Sequence, residues 1–331
     1  MIDGSIMKIK VYIVIPNWNG EDLIAECLAS LRLQSYPAKI IVVENGSIDG
    51  SIEIIESQFP DVILLKQPEN LGFAGGVNVG IRYALEHGAD AVALFNNDAV
   101  AEPDWLKNLV ASLEDNGDIG IVTGKFMRTD KKHIDSTGDY YSVYGMPFPR
   151  DRNKPDTGQR NNPEHIFGAS GGASLYRADM LKETGLFDEA FFAYYEDVDI
   201  SFRAQLAGWK VAYEPTALAY HHVSGTSSKL GNFTRYHATK NFYLLYAKNM
   251  PGWLYWKYLP LFTLQSLRLA ASSTIKGGLW PFIKGSAKAF WLSPHIIKER
   301  RNIQKSRKVS LIYINSILYK HRPPKIPKIN S

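Results

Sequence analysis

Asn96, Asn97 and Asp98 close an apolar run, AVALF at 91–95, whose Val, Leu and Phe content reads as a buried strand. Two amides and a carboxylate at a strand end are costly unless a ligand or a turn uses them. A hard cation such as Mg²⁺ or Mn²⁺ pairs one or two carboxylates with substrate phosphate oxygens, and Asp98 is placed to supply one. An Asx turn accounts for the same three residues equally well. A second acidic group, Asp188, Glu196, Asp197 and Asp199, lies among Phe187, Phe191, Phe192, Tyr194 and Tyr195. A carboxylate set among rings has its pKa raised and its orientation fixed, as a general base requires. From Glu196 the apolar residues Val198, Phe202 and Leu206 recur with helical spacing, so the acids fill a first turn, where the helix dipole also favours them. Arg203, one turn after Asp199, suits an ion pair with it. His221 and His222 end a β-type run. Neighbours on a strand point to opposite faces, so at most one of the two faces a site, as a metal ligand or as a structural residue.

These side chains need a scaffold that brings them together. β-rich runs at 11–15, 39–43, 62–65 and 91–95 alternate with helical patterns at 21–33, 52–59, 77–86 and 103–114. Short connections between such elements specify a mostly parallel sheet with helices on both faces. The polar clusters at 17–19, 44–49 and 96–98 all follow strand carboxyl ends, which lie along one edge and open on one crevice. A nucleotide is the default ligand there. The loop NLGFAGGVNVG is neither a dinucleotide fingerprint nor a P-loop, which removes the main support for a redox enzyme or an ATPase. Its Gly72, Gly75 and Gly76 let backbone approach a ligand or a neighbouring segment. Small residues at 168–174 either line a pocket or make a tightly packed strand corner. Between them, the polar stretch 128–164 is too long for an ordinary connection. It is a substrate-facing loop, an excursion hairpin or a partly mobile segment.

The chain has 331 residues, enough for one large domain or two ordinary ones, and its 45% apolar and 12% aromatic content fits a folded protein. A lone cysteine, Cys27, excludes an intramolecular disulfide and a Cys-rich zinc site. The net charge of +5 conceals a division. From residue 251 onward there are 15 Lys and Arg against one acid, Glu299, or +14. The first 250 residues hold 23 basic and 32 acidic residues, or −9. Such asymmetry points to a tail that meets an anionic surface.

In order along the chain, PNWNG, ENGSIDGS, NLGFAGGVNVG, LFNND, GLFDEAFFAYYEDVDISFR and YHHVSGTS resemble the inverting glycosyltransferases of family 2, rhamnosyltransferase-like branch. The resemblance covers about 9–245. It implies an α/β GT-A fold that binds a nucleoside-diphosphate sugar (a dTDP- or UDP-sugar, with rhamnose one sugar in view) and a divalent metal. By position, Pro16, Asn17 and Glu44 would contact the nucleoside, although the family more often has Asp where Glu44 stands. The metal motif D-x-D is here Asn96-Asn97-Asp98, which leaves Asp98 as principal ligand. His221 matches the family histidine near the diphosphate. Asp197 resembles the catalytic base. The wider candidate set for donor and substrate adds Asn19, Asn45, Ser47, Asn70, Gly72, Phe73, Gly76, Asn78, Asn96, Asn97, Gly172 and Glu196. The acceptor implied is a lipid-linked or growing glycan in cell-surface polysaccharide synthesis. The alternative is a catalytically degenerate binder of nucleotide sugar or carbohydrate, to which the Asn at the first D-x-D position leans.

The resulting division is a GT-A catalytic domain over 1–250, with a nucleotide half at about 8–127 and an acceptor half at about 165–250, and a helical extension over 251–331. An amphipathic helix is expected at 235–248. Beyond it, Trp253, Trp256, Trp280 and Trp291 alternate with Lys and Arg without any long uncharged apolar window. That pattern suits a protein lying on the cytoplasmic face of a membrane, at an anionic lipid surface. A helical subdomain packed on the catalytic core is the other reading. No nucleic-acid-binding module accompanies the basic residues, and oligomeric state is open.

Overall fold

Alternating apolar residues give strand β1 (Val11–Asn17) two faces to bury. Val11, Ile13 and Ile15 pack on one side, Tyr12 and Val14 on the other. The same logic repeats through α1 (Ile24–Arg32), β2 (Ala38–Asn45), α2 (Ser51–Gln58), β3 (Ile63–Gln67), α3 (Gly72–Glu86) and β4 (Ala91–Phe95). The computed structural model describes residues 9–222 and 231–329. Strands β3, β2, β1 and β4 lie side by side and parallel. Helix α3 starts five residues before the expected 77–86 segment, because the glycine-rich stretch is itself its first turns. Gly80 explains why glycine is used there: a Cβ on it would stand 2.4 Å from Val14 and 3.1 Å from Val43 on the sheet below.

After β5 (Ala99–Ala101) and α4 (Trp105–Glu114), the chain makes β6 (Ile119–Arg128), then an excursion with three short strands, β7 (Ile134–Ser136), β8 (Asp139–Tyr141) and β9 (Pro147–Pro149). The 128–164 stretch is thus a hairpin excursion. β10 (Glu164–Ile166), β11 (Ala173–Arg177), α5 (Ala178–Thr184), α6 (Glu196–Ala207) and β12 (Lys210–His221) complete the layered core. The sheet order is β10-β12-β6-β11-β4-β1-β2-β3, with β11 antiparallel to both neighbours. One apolar layer holds α1, α2 and α4 on one face, where Trp105 meets Phe95 edge-on at 4.8 Å. The other holds α3, α5 and α6. Each fully buried large side chain contributes about 1.5–3 kcal/mol.

Two pairings bring acids from separate strands to one histidine. β5 runs antiparallel to the end of β12, with Ala99 opposite His221, so Asp98 meets that histidine. β7 pairs with the end of β6 and brings Asp135 alongside.

The tail forms helices at Gly231–Asn249, Gly252–Ile275, Leu279–Trp291, Ser293–Ser306 and Leu311–Ile317. Their inner faces share an apolar cluster with α6 and the excursion, including Phe202, Phe242, Leu254, Phe262 and Ile314. The tail therefore packs on the core, and its outer faces stay exposed. The helix Gly231–Asn249 also departs from a simple amphipathic pattern: Lys240, Asn241, Lys248 and Asn249 are all buried. A polar side chain is buried at such cost only when it is bonded, and these are bonded to α6 and the turn before it.

Candidate functional site

The strand ends open on a cleft of about 520 Å³. Its donor-side wall is a network of side-chain amides and one acid. Asn17 Nδ2 donates to Glu44 Oε2 (2.7 Å), and Asn97 Nδ2 donates to Asn17 Oδ1 (2.8 Å). Glu44 Oε1 accepts from Ser47 N (2.9 Å), and Ser47 Oγ accepts from Asn19 N (2.8 Å). Asn45 Nδ2 donates to Asn70 Oδ1 and to Gly72 O, and its Oδ1 accepts from Leu71 N. These amides are held by one another and by the backbone, so the wall is set before any ligand arrives.

Along the middle of the cleft, His221 stands between two carboxylates. Its Nε2 lies 3.1 Å from Asp98 Oδ1 and its Nδ1 2.9 Å from Asp135 Oδ2. Burial pulls the imidazole pKa down, but the two carboxylates outweigh it and lift the ring to about 9. Phe126 stacks on the ring at 4.7 Å and fixes its plane. His222 turns the other way, to Glu26. The family motif's continuation at 223–228 lies outside the described residues.

Asp98 Oδ1 and His221 Nε2 form an oxygen and nitrogen donor pair open to the cleft, with Asp135 behind the ring in the position that orients metal-bound histidines. Among the described residues no group of three His, Cys, Asp or Glu forms a ready-made metal cage. The donor set therefore fits a divalent ion whose coordination is completed by phosphate oxygens and water.

The acceptor-side wall comes from the turn before α6. Phe192, Tyr194 and Tyr195 have φ of 64°, 72° and 70°, a conformation that costs an ordinary side chain about 1–3 kcal/mol. Distant groups hold it. Asn241 Nδ2 reaches the carbonyls of Phe191 (3.0 Å), Ala193 (2.8 Å) and Tyr194 (2.6 Å), and Lys240 Nζ those of Ala190 (2.6 Å) and Phe191 (3.1 Å). Gly72, itself at φ 72°, lets the start of α3 touch the turn: a Cβ there would lie 2.4 Å from Phe192 O.

This turn delivers Glu196 and Asp197 to the first turn of α6. Asp197 Oδ2 accepts from Gly171 N at 3.0 Å. Burial raises the Asp197 pKa, and its backbone hydrogen bonds oppose the rise. Glu196 is pushed well above the usual range by burial and then by the charge of Asp197, and its Oε2 has no partner. Asp139, from the excursion, is raised well above the range for the same two reasons. Of three neighbouring acids, Asp197 is the one whose ionised form the backbone supports. Asp199 has a different task, held by Arg203 (2.9 Å), Lys248 (2.9 Å) and Asn249 (2.7 Å), which fasten α6 to the tail.

Pro16, Asn17, Asn45, Asn70, Gly72, Phe73, Asn96, Asn97, Asp98, Gly172, Glu196, Asp197 and His221 all line the one cleft. Asn19, Glu44 and Ser47 stand behind its wall in the amide network, and Gly76 packs against Asn45 and Pro16. Asn78 is turned away. Its amide bonds Phe187 N and O and Glu189, because two residues beyond Gly76 lies roughly 200° around the helix. Sequence reasoning missed Trp18, Phe126, Asp135, Asp139, Phe148 and Arg152 on the lining. Arg152 Nη2 stands 3.2 Å from Asp135 and adds a cation beside the Asp98–His221 pair.

The family model for glycosyl transferase family 2 matches residues 12–185, over half of the chain. An N-acetylglucosaminyl-diphospho-decaprenol L-rhamnosyltransferase of Mycobacterium tuberculosis is 28% identical over 277 residues, covering 76% of this chain and 88% of that protein. The dTDP-rhamnosyl transferase RfbF of Shigella flexneri is 24% identical, covering 73% of this chain and 82% of that protein. Among solved structures, a mannosyltransferase of Pyrobaculum calidifontis in complex with GDP-Man and Mn²⁺ superposes with a TM-score of 0.55 at 17% identity, over 93% of this chain and 86% of that one. The chain belongs to glycosyl transferase family 2 and has the GT-A fold.

Proposed function

We propose that this family 2 glycosyltransferase moves a sugar, with inversion, from a nucleoside-diphosphate donor to a hydroxyl of a lipid-linked or growing glycan. The observation that carries the reading is the placement of Asp197 in one cleft with the amide-built donor wall and the Asp98–His221 pair. The relatives' names favour a dTDP-sugar and rhamnose, and a polyprenyl-diphosphate-linked acceptor as the class to test first.

The donor's nucleoside lies along Pro16, Asn17 and Asn45, backed by Glu44. Its diphosphate is directed toward Asp98, His221 and Arg152. A divalent cation held by Asp98 and His221 would neutralise charge on the departing diphosphate. Asp197 takes the proton of the acceptor hydroxyl as that oxygen bonds to the anomeric carbon. The bond from that carbon to the diphosphate oxygen breaks on the opposite face, and the electron pair leaves with the nucleoside diphosphate. One displacement inverts the centre without a covalent enzyme intermediate. Glu196 and Asp139, held neutral by burial, contribute hydroxyl donors beside the base without competing for its proton. Residues up to about 250 carry this chemistry, and the helices over 251–331 serve the acceptor side.

The test is release of nucleoside diphosphate from a panel of dTDP-, UDP- and GDP-sugars, with a lipid-linked glycan acceptor, with Mn²⁺ or with EDTA. Acceptor-dependent release from one donor, abolished by Asp197→Asn, supports the reading. Equal release by Asp197→Asn would refute it.

A further inference from the structure

The helix Gly252–Ile275 packs Leu254, Tyr258 and Phe262 inward. Its outer side is also apolar. Trp253, Trp256, Leu264, Leu267 and Ile275 are exposed, Trp256 at 70% and Leu267 at 63%. Their spacing puts them, with Lys257 and Arg268, within one stripe of the helix surface. The next helix, Leu279–Trp291, repeats the arrangement. Phe282 and Ala289 face inward, while Trp280 (64%), Ile283 and Trp291 (68%) face out with Lys284. A helix that is only packed on a core shows charge and polarity on its outer side. These two show rings and branched aliphatics instead.

The cations on these faces are arranged, not scattered. Lys257 Nζ lies 4.9 Å from the Trp253 ring, Lys284 5.2 Å from Trp280 and Lys288 3.6 Å from Trp291. Each of these three indoles thus carries an ammonium on its face. No Asp or Glu occurs in either helix, and Glu299 is the one acid beyond residue 250. Among the described residues, no helix is long and apolar enough to cross a membrane.

We propose that the outer faces of these two helices, centred on Trp253, Trp256, Trp280 and Trp291, dock the protein flat on a bilayer rich in anionic phospholipid. Indoles lie at headgroup depth, where their apolar body and N–H are both accommodated. The lysines meet lipid phosphates, and Leu264, Leu267 and Ile283 enter the acyl boundary. A second copy of the chain fits less well, since two faces each bearing the tail's +14 charge would repel. An RNA partner would use the cations but not the exposed Leu and Ile. The docking face takes its purpose from the proposed lipid-linked acceptor, yet the chemistry of its surface is independent of catalysis.

The experiment is co-sedimentation of the full chain with vesicles of phosphatidylcholine alone or mixed with phosphatidylglycerol. Three proteins are compared: the wild type, a Trp256→Ser/Trp280→Ser/Trp291→Ser variant and a Lys257→Gln/Lys284→Gln/Lys288→Gln variant. All substituted side chains but Lys288 are exposed, so thermal melting and nucleotide binding should match the wild type. We expect binding to the anionic vesicles only, weakened roughly a hundredfold by the lysine substitutions and by high salt, and also weakened by the tryptophan substitutions. Equal sedimentation with neutral vesicles, or none with either, overturns the proposal. So does binding to RNA or heparin that the tryptophan variant retains, which would mark a general polyanion surface. Concentration-dependent dimers abolished by the same substitutions would assign the face to a second copy. Failure here leaves sugar transfer intact, because donor hydrolysis and transfer to a soluble acceptor fragment do not need the bilayer.

Discussion

The two walls of the cleft are built on opposite principles. The donor wall is local: strand ends that lie side by side supply Asn17, Glu44, Asn45 and Asn97, and these bond to one another or to the adjoining loop. Its backbone is relaxed apart from Asn19 and Gly46. The acceptor wall is a turn with three large aromatics at positive φ, held by a helix about fifty residues away in sequence. A wall made of paired amides is stable in itself and suits a constant part of the substrate, the nucleoside. A strained turn held from outside costs stability and persists only where its support is complete. It delivers Asp197 and the rings that meet the acceptor.

Substitutions on the two sides should therefore separate. The largest effect belongs to Asp197→Asn, which removes the base and should lower kcat by about 10²–10⁴-fold while donor affinity, measured by calorimetry, is unchanged. Asn241→Ala comes next. It frees three carbonyls behind the strained turn and should cost about 1–3 kcal/mol in stability, with kcat falling and donor Kd unmoved. A loss of donor binding as large as the loss of kcat would erase the distinction between the walls.

Asp135→Asn acts between them, since Asp135 holds the Nδ1 side of His221. Divalent-cation affinity should fall about 10–100-fold with the fold intact. Titration with Mn²⁺ reads this directly, apart from turnover. The smallest effect is expected at the donor wall. Glu44→Gln exchanges an acceptor for a donor opposite Asn17 Nδ2, which weakens one buried hydrogen bond and should raise donor Kd severalfold, worth roughly 1 kcal/mol, with kcat kept.

The same contrast explains what the sequence discloses. Strand ends in a parallel sheet converge by necessity, so the donor side was legible from polar residues at the ends of apolar runs. The acid pair at 196–197 was legible as a helix start among aromatics. Asp135, Asp139 and Arg152 were not, because strands of three residues in the excursion carry no periodicity and their neighbours are set by pairing with β6 and β9. Asn241 was equally hidden: a polar residue in a helix reads as solvent-facing, and only the turn it holds reveals why it is buried. Asn78 misled in the opposite sense, an amide in a glycine-rich segment that serves packing. The tail was open between a membrane surface and a packed subdomain. The structure shows a packed inner face and leaves an apolar, basic outer one.

Sugar transfer by this route depends above all on Asp197 acting as the ionised base while its acidic neighbours stay protonated. The pH dependence of kcat/KM tests this most directly. Burial raises the Asp197 pKa, so the active, ionised form is present above that pKa and lost as pH falls through it. We predict a single acid limb above the ordinary carboxylate range of about 4, retained in Glu196→Gln and absent from the residual rate of Asp197→Asn. An acid limb that persists in Asp197→Asn and disappears in Glu196→Gln would contradict the assignment.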